Sequence, residues 1–281
     1  MADIEAGNLF NVKGLVAVVT GGGTGIGLMI AQALEANGAI VYILGRRLEV
    51  LKEAAATAKH GNIRYFKADV TSKPDLAEAA AHIAEAVGYV NVVVANSGII
   101  GPTLRYLKDD ATIKETQEYL WNWDSDEFNQ AYNVNVNGAF FTAVAFLDLL
   151  DKGNKAKNVE QDSQFICVSS AGAFSRVLMS GFAYAGSKAA VIHITKQLAT
   201  RLVPFGIRCN VLAPGLYPSE ITADMNFKES YPREYLPQQR VGDRKDMAGA
   251  LLFLTSRAGA YINGNILLTD GGRLSVLPAT Y

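Results

Sequence analysis

Val16-Ala17-Val18-Val19-Thr20-Gly21-Gly22-Gly23-Thr24-Gly25-Ile26-Gly27 is the stretch whose reading decides the fold. Its apolar run is too short for a helix and stops at a threonine followed by three glycines, residues that tolerate positive φ and close backbone approach. From Ile26 to Leu34 apolar residues recur at helical spacing, and the pattern ends near Asn37-Gly38. A strand, a glycine turn and a helix N-terminus make an anion site. Unpaired N–H groups and the helix dipole face whatever lies over the turn, typically a pyrophosphate. A lone glycine turn is a weak signal, because flexible loops share it. Here a second apolar run, Ile40-Val41-Tyr42-Ile43-Leu44, follows. The segment therefore reads as a βαβ unit, the minimum for half of a dinucleotide site.

The same alternation continues along the chain. Helical patterns over 48–59 and 72–87 bracket a strand over 63–67, and Thr71 or Ser72 is placed to cap the second helix. Further strands read over 90–95, 165–169, 207–212 and 265–268, with helices over 126–150, 183–203 and 243–255. A polar stretch, 101–126, interrupts the rhythm as a surface excursion. Alternating β and α with short apolar strands predicts one doubly wound α/β domain over 1–281, a Rossmann-type parallel sheet of about seven strands covered on both faces. Ligands bind beyond the carboxyl ends of such strands. Thr20, Gly45, Asp69, Asn96, Ser169, Ser170 and Pro214-Gly215 all fall at or just past those ends.

The chain has 281 residues, 49% of them hydrophobic, and a formal net charge of −1. That balance argues against nucleic acid or an anionic membrane as partner. No apolar run approaches the roughly 20 residues that span a bilayer, and Met1-Ala2-Asp3-Ile4-Glu5 is not a secretory signal. Cys167 and Cys209 sit in strand-like runs and read as buried, reduced residues of a cytoplasmic protein. His60, His82 and His193 have no partners at ligand spacing, so no metal site is expected.

The sharpest chemical signal is Tyr184-Ala185-Gly186-Ser187-Lys188. A Tyr and a Lys four apart at a helix start share one face. A phenol titrates near 10, and bringing it to neutrality takes about 4 kcal/mol, which a nearby ammonium can supply. An isolated Y-x-x-x-K is most often an ordinary helix face. The pair gains weight because it follows a strand ending in Ser169-Ser170 within a sheet that already carries a phosphate turn.

Together, Thr20 to Gly27 (T-G-x-x-x-G-x-G), Asp69-Val70, Asn96-Ser97-Gly98, Asn135, Ser170, Tyr184 with Lys188, and Pro214-Gly215 resemble the short-chain dehydrogenase/reductase family across nearly the whole chain. The resemblance implies redox chemistry between ketone and alcohol with a nicotinamide cofactor. It implies Tyr184 as general acid/base and Lys188 as the group that lowers its pKa and holds the nicotinamide ribose. Ser170 would bind the reacting oxygen, and Asn135 would support a proton-relay water. The cofactor would lie against Thr20, Gly21, Gly23, Thr24, Gly25, Ile26 and Gly27, with Asp69 and Val70 at the adenine. Asn96, Ser97 and Gly98 would lie on the ribose side, and Pro214, Gly215 and Ser219 at the carboxamide. Ser219 reads equally as a helix N-cap. Two departures stand out: Asn96-Ser97-Gly98 replaces N-A-G, and Ser170 lies fourteen residues before Tyr184, one more than is common. Strand alternation turns Ser169 and Ser170 to opposite sides. Ser170 is favoured, because a loop absorbs an insertion more easily than a strand end shifts.

At the end of the second strand an acidic residue would select NAD. This chain has Gly45-Arg46-Arg47, two cations where a helix dipole disfavours them by about 0.3–1 kcal/mol. That predicts a bound anion, the 2′-phosphate of NADP(H), with Arg46 as main contact and Arg47 beside it. Residues 216–242 are read as a substrate lid. Its Leu216, Tyr217, Ile221, Met225, Phe227, Tyr231, Tyr235 and Leu236 either line an apolar pocket or pack beneath it. The expected activity is NADPH-dependent reduction of a bulky hydrophobic ketone. The alternatives are alcohol oxidation and a non-catalytic NADP-binding sensor. The resemblance also implies a homodimer or homotetramer paired through helices 126–150 and 183–203, with Val191, Ile192, Ile194 and Leu198 available either for that contact or for packing on the sheet.

Overall fold

Along the first strand, Val16 and Val18 belong to one buried apolar cluster while Ala17 and Val19 belong to another. A strand that is apolar on both sides needs cover on both faces, and the chain supplies it. The computed structural model describes residues 4–177 and 180–280, so Met1 to Asp3 of the N-terminal stretch lie outside it. After a short helix α1 (Ala6–Leu9) come β1 (Val16–Thr20), α2 (Gly25–Ala36), β2 (Ile40–Gly45), α3 (Leu48–Ala56), β3 (Ile63–Lys67), α4 (Lys73–Val87) and β4 (Val92–Ala95). Then follow α5 (Ile113–Trp121), α6 (Ser125–Tyr132), a π-helical stretch (Asn133–Gly138), α7 (Ala139–Ala145) and α8 (Leu147–Ala156). The chain closes with β5 (Gln164–Val168), α9 (Gly181–Arg201), β6 (Arg208–Pro214), α10 (Arg244–Thr255) and β7 (Ile266–Thr269).

The seven strands form one parallel sheet in the order β3-β2-β1-β4-β5-β6-β7. The order reverses between β1 and β4, and ligand crevices open at such a reversal. Ile30 and Leu34 of α2 and Leu251 and Leu254 of α10 cover one face. Ile83 of α4, Phe146 and Val191 of α9 cover the other. Among the described residues no single helix is long and apolar enough to cross a membrane.

One expectation needs correction. The continuous helix over 126–150 is broken into pieces. Asn133-Val134-Asn135-Val136-Asn137-Gly138 consists of poor helix formers and winds as a π-helix. A second break at the fully buried Phe146 bends the axis by 45°. Within the 101–126 surface excursion, Thr112 and Glu115 form a capping box that starts α5. Of the α9 residues that read either as a pairing contact or as packing on the sheet, Val191 and Leu198 pack in the sheet's core. The exposed apolar residues on these helices are Phe140, Val144 and Phe182.

Candidate active site

One cavity of about 380 Å³ lies along the carboxyl ends of the strands. At one end it is floored by the glycine turn. Gly21 and Gly25 have φ of 63° and 51°, a region that favours glycine. Gly27 packs so closely on the Gly21 carbonyl oxygen that any Cβ would collide with it. The Thr20 hydroxyl accepts from the N–H groups of Asn96 (3.0 Å) and Ser97 (3.2 Å). In return the Asn96 amide donates to the Thr20 and Gly21 carbonyls at 3.0 and 3.2 Å. The turn after β1 and the end of β4 are thus laced together, and their backbone groups are held before any ligand arrives. Arg46, Arg47, Asp69 and Val70 line the same end.

At the other end Ser170, Tyr184 and Lys188 share the wall. Ser169 and Ser170 do point apart. The Ser169 hydroxyl is buried and donates to the Lys188 carbonyl at 2.7 Å, pinning β5 to α9. The Ser170 hydroxyl lines the cavity, accepts from the Gly172 N–H at 3.0 Å, and stands close enough to Tyr184 to oppose the rise in its pKa. Lys188 is 4% exposed; its ammonium donates to the Val168 carbonyl at 2.9 Å and lies 5.7 Å from the centre of the Tyr184 ring. Burial pushes the Tyr184 phenol above its ordinary pKa, and Ser170 pulls it back. Burial pushes the Lys188 ammonium below its own. The Lys188 ammonium stands near the Tyr184 ring, where the sequence expects it to lower the phenol's pKa; of the influences on the phenol in this structure, burial is the largest.

A family description of enoyl-(acyl carrier protein) reductase matches residues 21–273. A short-chain dehydrogenase/reductase of Diaporthe leptostromiformis, PhomF, is 53% identical over 98% of this chain and 97% of its own length. The chain belongs to the short-chain dehydrogenase/reductase family. Its fold matches the Pseudomonas aeruginosa RhlG/NADP active-site complex with a TM-score of 0.77, at 29% identity over 94% of this chain and 98% of that one. It also matches the 3-ketoacyl-(acyl-carrier-protein) reductase of Brucella melitensis complexed with NADH, with a TM-score of 0.76 at 27% identity, covering 93% and 99%. The family consists of oxidoreductases that bind a nicotinamide dinucleotide. The cavity fits such a group: its floor is glycine backbone at 21, 23 and 25, and a Cβ at Gly98 would lie 3.2 Å from both the Lys188 ammonium and the Asn135 side-chain oxygen.

Gly21, Gly23, Thr24, Gly25, Ile26, Arg46, Arg47, Asp69, Val70, Asn96, Ser97, Gly98, Ser170, Tyr184, Lys188, Pro214, Gly215 and Ser219 all line this family cleft. Thr20, Gly27 and Asn135 do not; each shapes it from beneath. Asn135 is 1% exposed, and its amide is committed. It accepts from the Ile99 N–H (2.8 Å) and donates to the Ile99 carbonyl and the Ser187 hydroxyl, both at 2.9 Å. Ser187 was not singled out from the sequence; it passes this bond on to the Tyr184 carbonyl at 2.7 Å. Ser219 caps the short turn 220–222, its N–H donating to the Thr222 hydroxyl at 2.9 Å, and still faces the cavity. Tyr217 and Leu236 are 3% and 2% exposed; Tyr217 packs into the core and also lines the cavity, whereas Leu236 does not line it. Arg47 is engaged by Glu220, a residue with no signal in the local sequence beyond its charge.

Proposed function

We propose that this chain is an NADPH-dependent ketone reductase, making a secondary alcohol from a bulky, largely hydrophobic ketone. The observation that carries the reading is the grouping of Ser170, Tyr184 and Lys188 in one cavity with the glycine turn and Arg46. When bound, the reduced nicotinamide supplies a hydride to the carbonyl carbon. Tyr184 gives its phenolic proton to the carbonyl oxygen, and Ser170 holds that oxygen by hydrogen bonding. Lys188 holds the nicotinamide ribose and is placed to stabilise the phenolate that remains. Asn135 positions Ile99 and, through Ser187, the start of α9; a relay water would be held by its remaining acceptor capacity. Burial raises the Tyr184 pKa, which suits its role as a proton donor.

The glycine turn and Arg46 would hold the pyrophosphate and the 2′-phosphate, Asp69 and Val70 the adenine, and Ser219 the carboxamide. The 216–242 segment acts as the lid. Ile99, Val134 and Ile221 make the cavity wall apolar, which suits a hydrophobic substrate. The protein works in the cytoplasm as a homodimer or homotetramer joined across the exposed face of α7 and the start of α9, where Phe140, Val144 and Phe182 lie. The test is a panel of chemically diverse ketones with NADPH oxidation as readout, for the native chain and Tyr184→Phe. Loss of turnover with retained NADPH binding supports the reading. Retained function would favour a non-catalytic sensor. Turnover of alcohols alone would favour a dehydrogenase, and turnover of small sugars alone would overturn the hydrophobic substrate class.

A further inference from the structure

Arg47 follows β2 and Glu220 follows β6, and three strands separate those two in the sheet. They nevertheless meet: one guanidinium nitrogen of Arg47 lies 2.7 and 2.8 Å from the two carboxylate oxygens of Glu220. The chain after β6 can return this far because Gly25 carries no side chain. A Cβ there would lie 2.9 Å from that of Ser219. Both partners line the cavity at the end where Arg46 and Arg47 stand. Each side chain is 58% exposed, and an ion pair so exposed contributes only about 0–1 kcal/mol to stability. The fold does not need it. Its consequence is electrostatic: a carboxylate sits on one of the two cations offered to a 2′-phosphate. Arg46 carries no ion pair among the described residues.

The geometry points to Glu220 as a cofactor-specificity residue that works against Arg47. This inference rests on the reading of Arg46 and Arg47 as the 2′-phosphate contacts. A phosphorylated dinucleotide must displace Glu220 from Arg47 or tolerate its negative charge nearby. An unphosphorylated one has no phosphate to place there, and its 2′-hydroxyl finds an acceptor in the same carboxylate. Glu220 therefore narrows the preference that the arginine pair sets up, and the balance of all three residues fixes the NADPH to NADH ratio.

The experiment is titration of the purified full chain with NADPH and with NADH, by fluorescence or calorimetry, for the native protein, Glu220→Gln, Arg46→Gln and Arg47→Gln. Glu220→Gln is expected to raise the ratio of NADPH to NADH affinity about three- to tenfold at low salt, and by less at high salt, because the effect is a screened charge repulsion. A thermal melt of Glu220→Gln close to the native one shows that the chain remains folded. An unchanged or lowered ratio in a folded Glu220→Gln overturns the inference. The arginine variants separate the two failures. If either lowers NADPH affinity selectively while Glu220→Gln does nothing, only the role of Glu220 falls. If Arg46→Gln and Arg47→Gln each leave the ratio untouched, the arginines are not the phosphate site, and both readings fall.

Discussion

The glycine turn and the 216–242 segment border the same cavity and are held by different forces. At the turn, the Thr20 hydroxyl and the Asn96 amide exchange four hydrogen bonds with backbone groups, and Gly27 admits no extra atom. Segment 216–242 is anchored by the buried Tyr217 near its start and by Leu236 and Tyr235 farther on; the Tyr235 hydroxyl accepts from Arg273 at 2.8 Å. Between those anchors it is joined to the rest of the molecule by exposed ion pairs, Arg47–Glu220 and Arg105–Asp224. Backbone packed against backbone has one arrangement. Exposed ion pairs are worth little and exchange easily. The glycine turn is preorganised, whereas segment 216–242 is held between its anchors by contacts that exchange easily.

The largest effect should come from the chemistry both regions serve. Tyr184→Phe is expected to lower turnover about 10²–10⁴-fold, with NADPH affinity nearly unchanged in a direct titration. A comparable loss of binding would mean that Tyr184 builds the cofactor end rather than acting on substrate. The same residue sets a pH dependence. Burial raises its pKa, so the donating phenol persists into alkaline solution. The reductive rate should hold through neutrality and fall as pH rises through the Tyr184 pKa, whereas the oxidative rate should climb over that range; initial rates in both directions across pH check this.

Next in size is the rigidity of the turn. Gly27→Ala forces a methyl onto the Gly21 carbonyl oxygen and should cost about 1–3 kcal/mol of stability, with loss of NADPH binding, read by thermal melting and titration. If the variant binds cofactor normally, the turn is softer than its packing indicates, and the contrast with 216–242 weakens. Arg46→Gln should reduce NADPH affinity about tenfold, the scale of one charge-assisted contact, and leave NADH affinity within about twofold. Smallest of all, Asp224→Asn breaks an ion pair whose carboxylate is 77% exposed. It should change stability by less than about 1 kcal/mol in denaturant unfolding. A larger loss would mean that the 101–126 excursion and the 216–242 segment form one cooperative unit.

The features legible in the sequence are those whose cause is local. The β1 run, the glycines after it and the Tyr184–Lys188 spacing each express their geometry within a few residues, and all appear where they were expected. The Ser72 cap on α4 does too, accepting from the Asp75 N–H. What was not legible depends on partners far along the chain. Asn135 looked like part of a continuous helix. Its amide instead reaches Ile99 and Ser187 from a π-helical stretch, and no helical periodicity reports a widened turn. Tyr217 and Leu236 read equally as pocket or packing from the sequence; Leu236 is packing, while Tyr217 is both, buried in the core and lining the cavity. Ser169 and Ser170 differ only by strand alternation until α9 is placed; then the Lys188 carbonyl claims one and the other stands close to Tyr184.

By itself, then, the order of apolar runs, glycines and chemical groups determined a parallel α/β sheet with a phosphate turn at its first crossover and a phenol–ammonium pair on one helix, because short-range backbone sterics and side-chain period are written residue by residue. Only the tertiary structure decided the protonation environment of that pair and the partnering of Arg47 with Glu220. Desolvation and Coulomb attraction depend on what the fold brings near, and the groups concerned lie up to 173 residues apart in the chain.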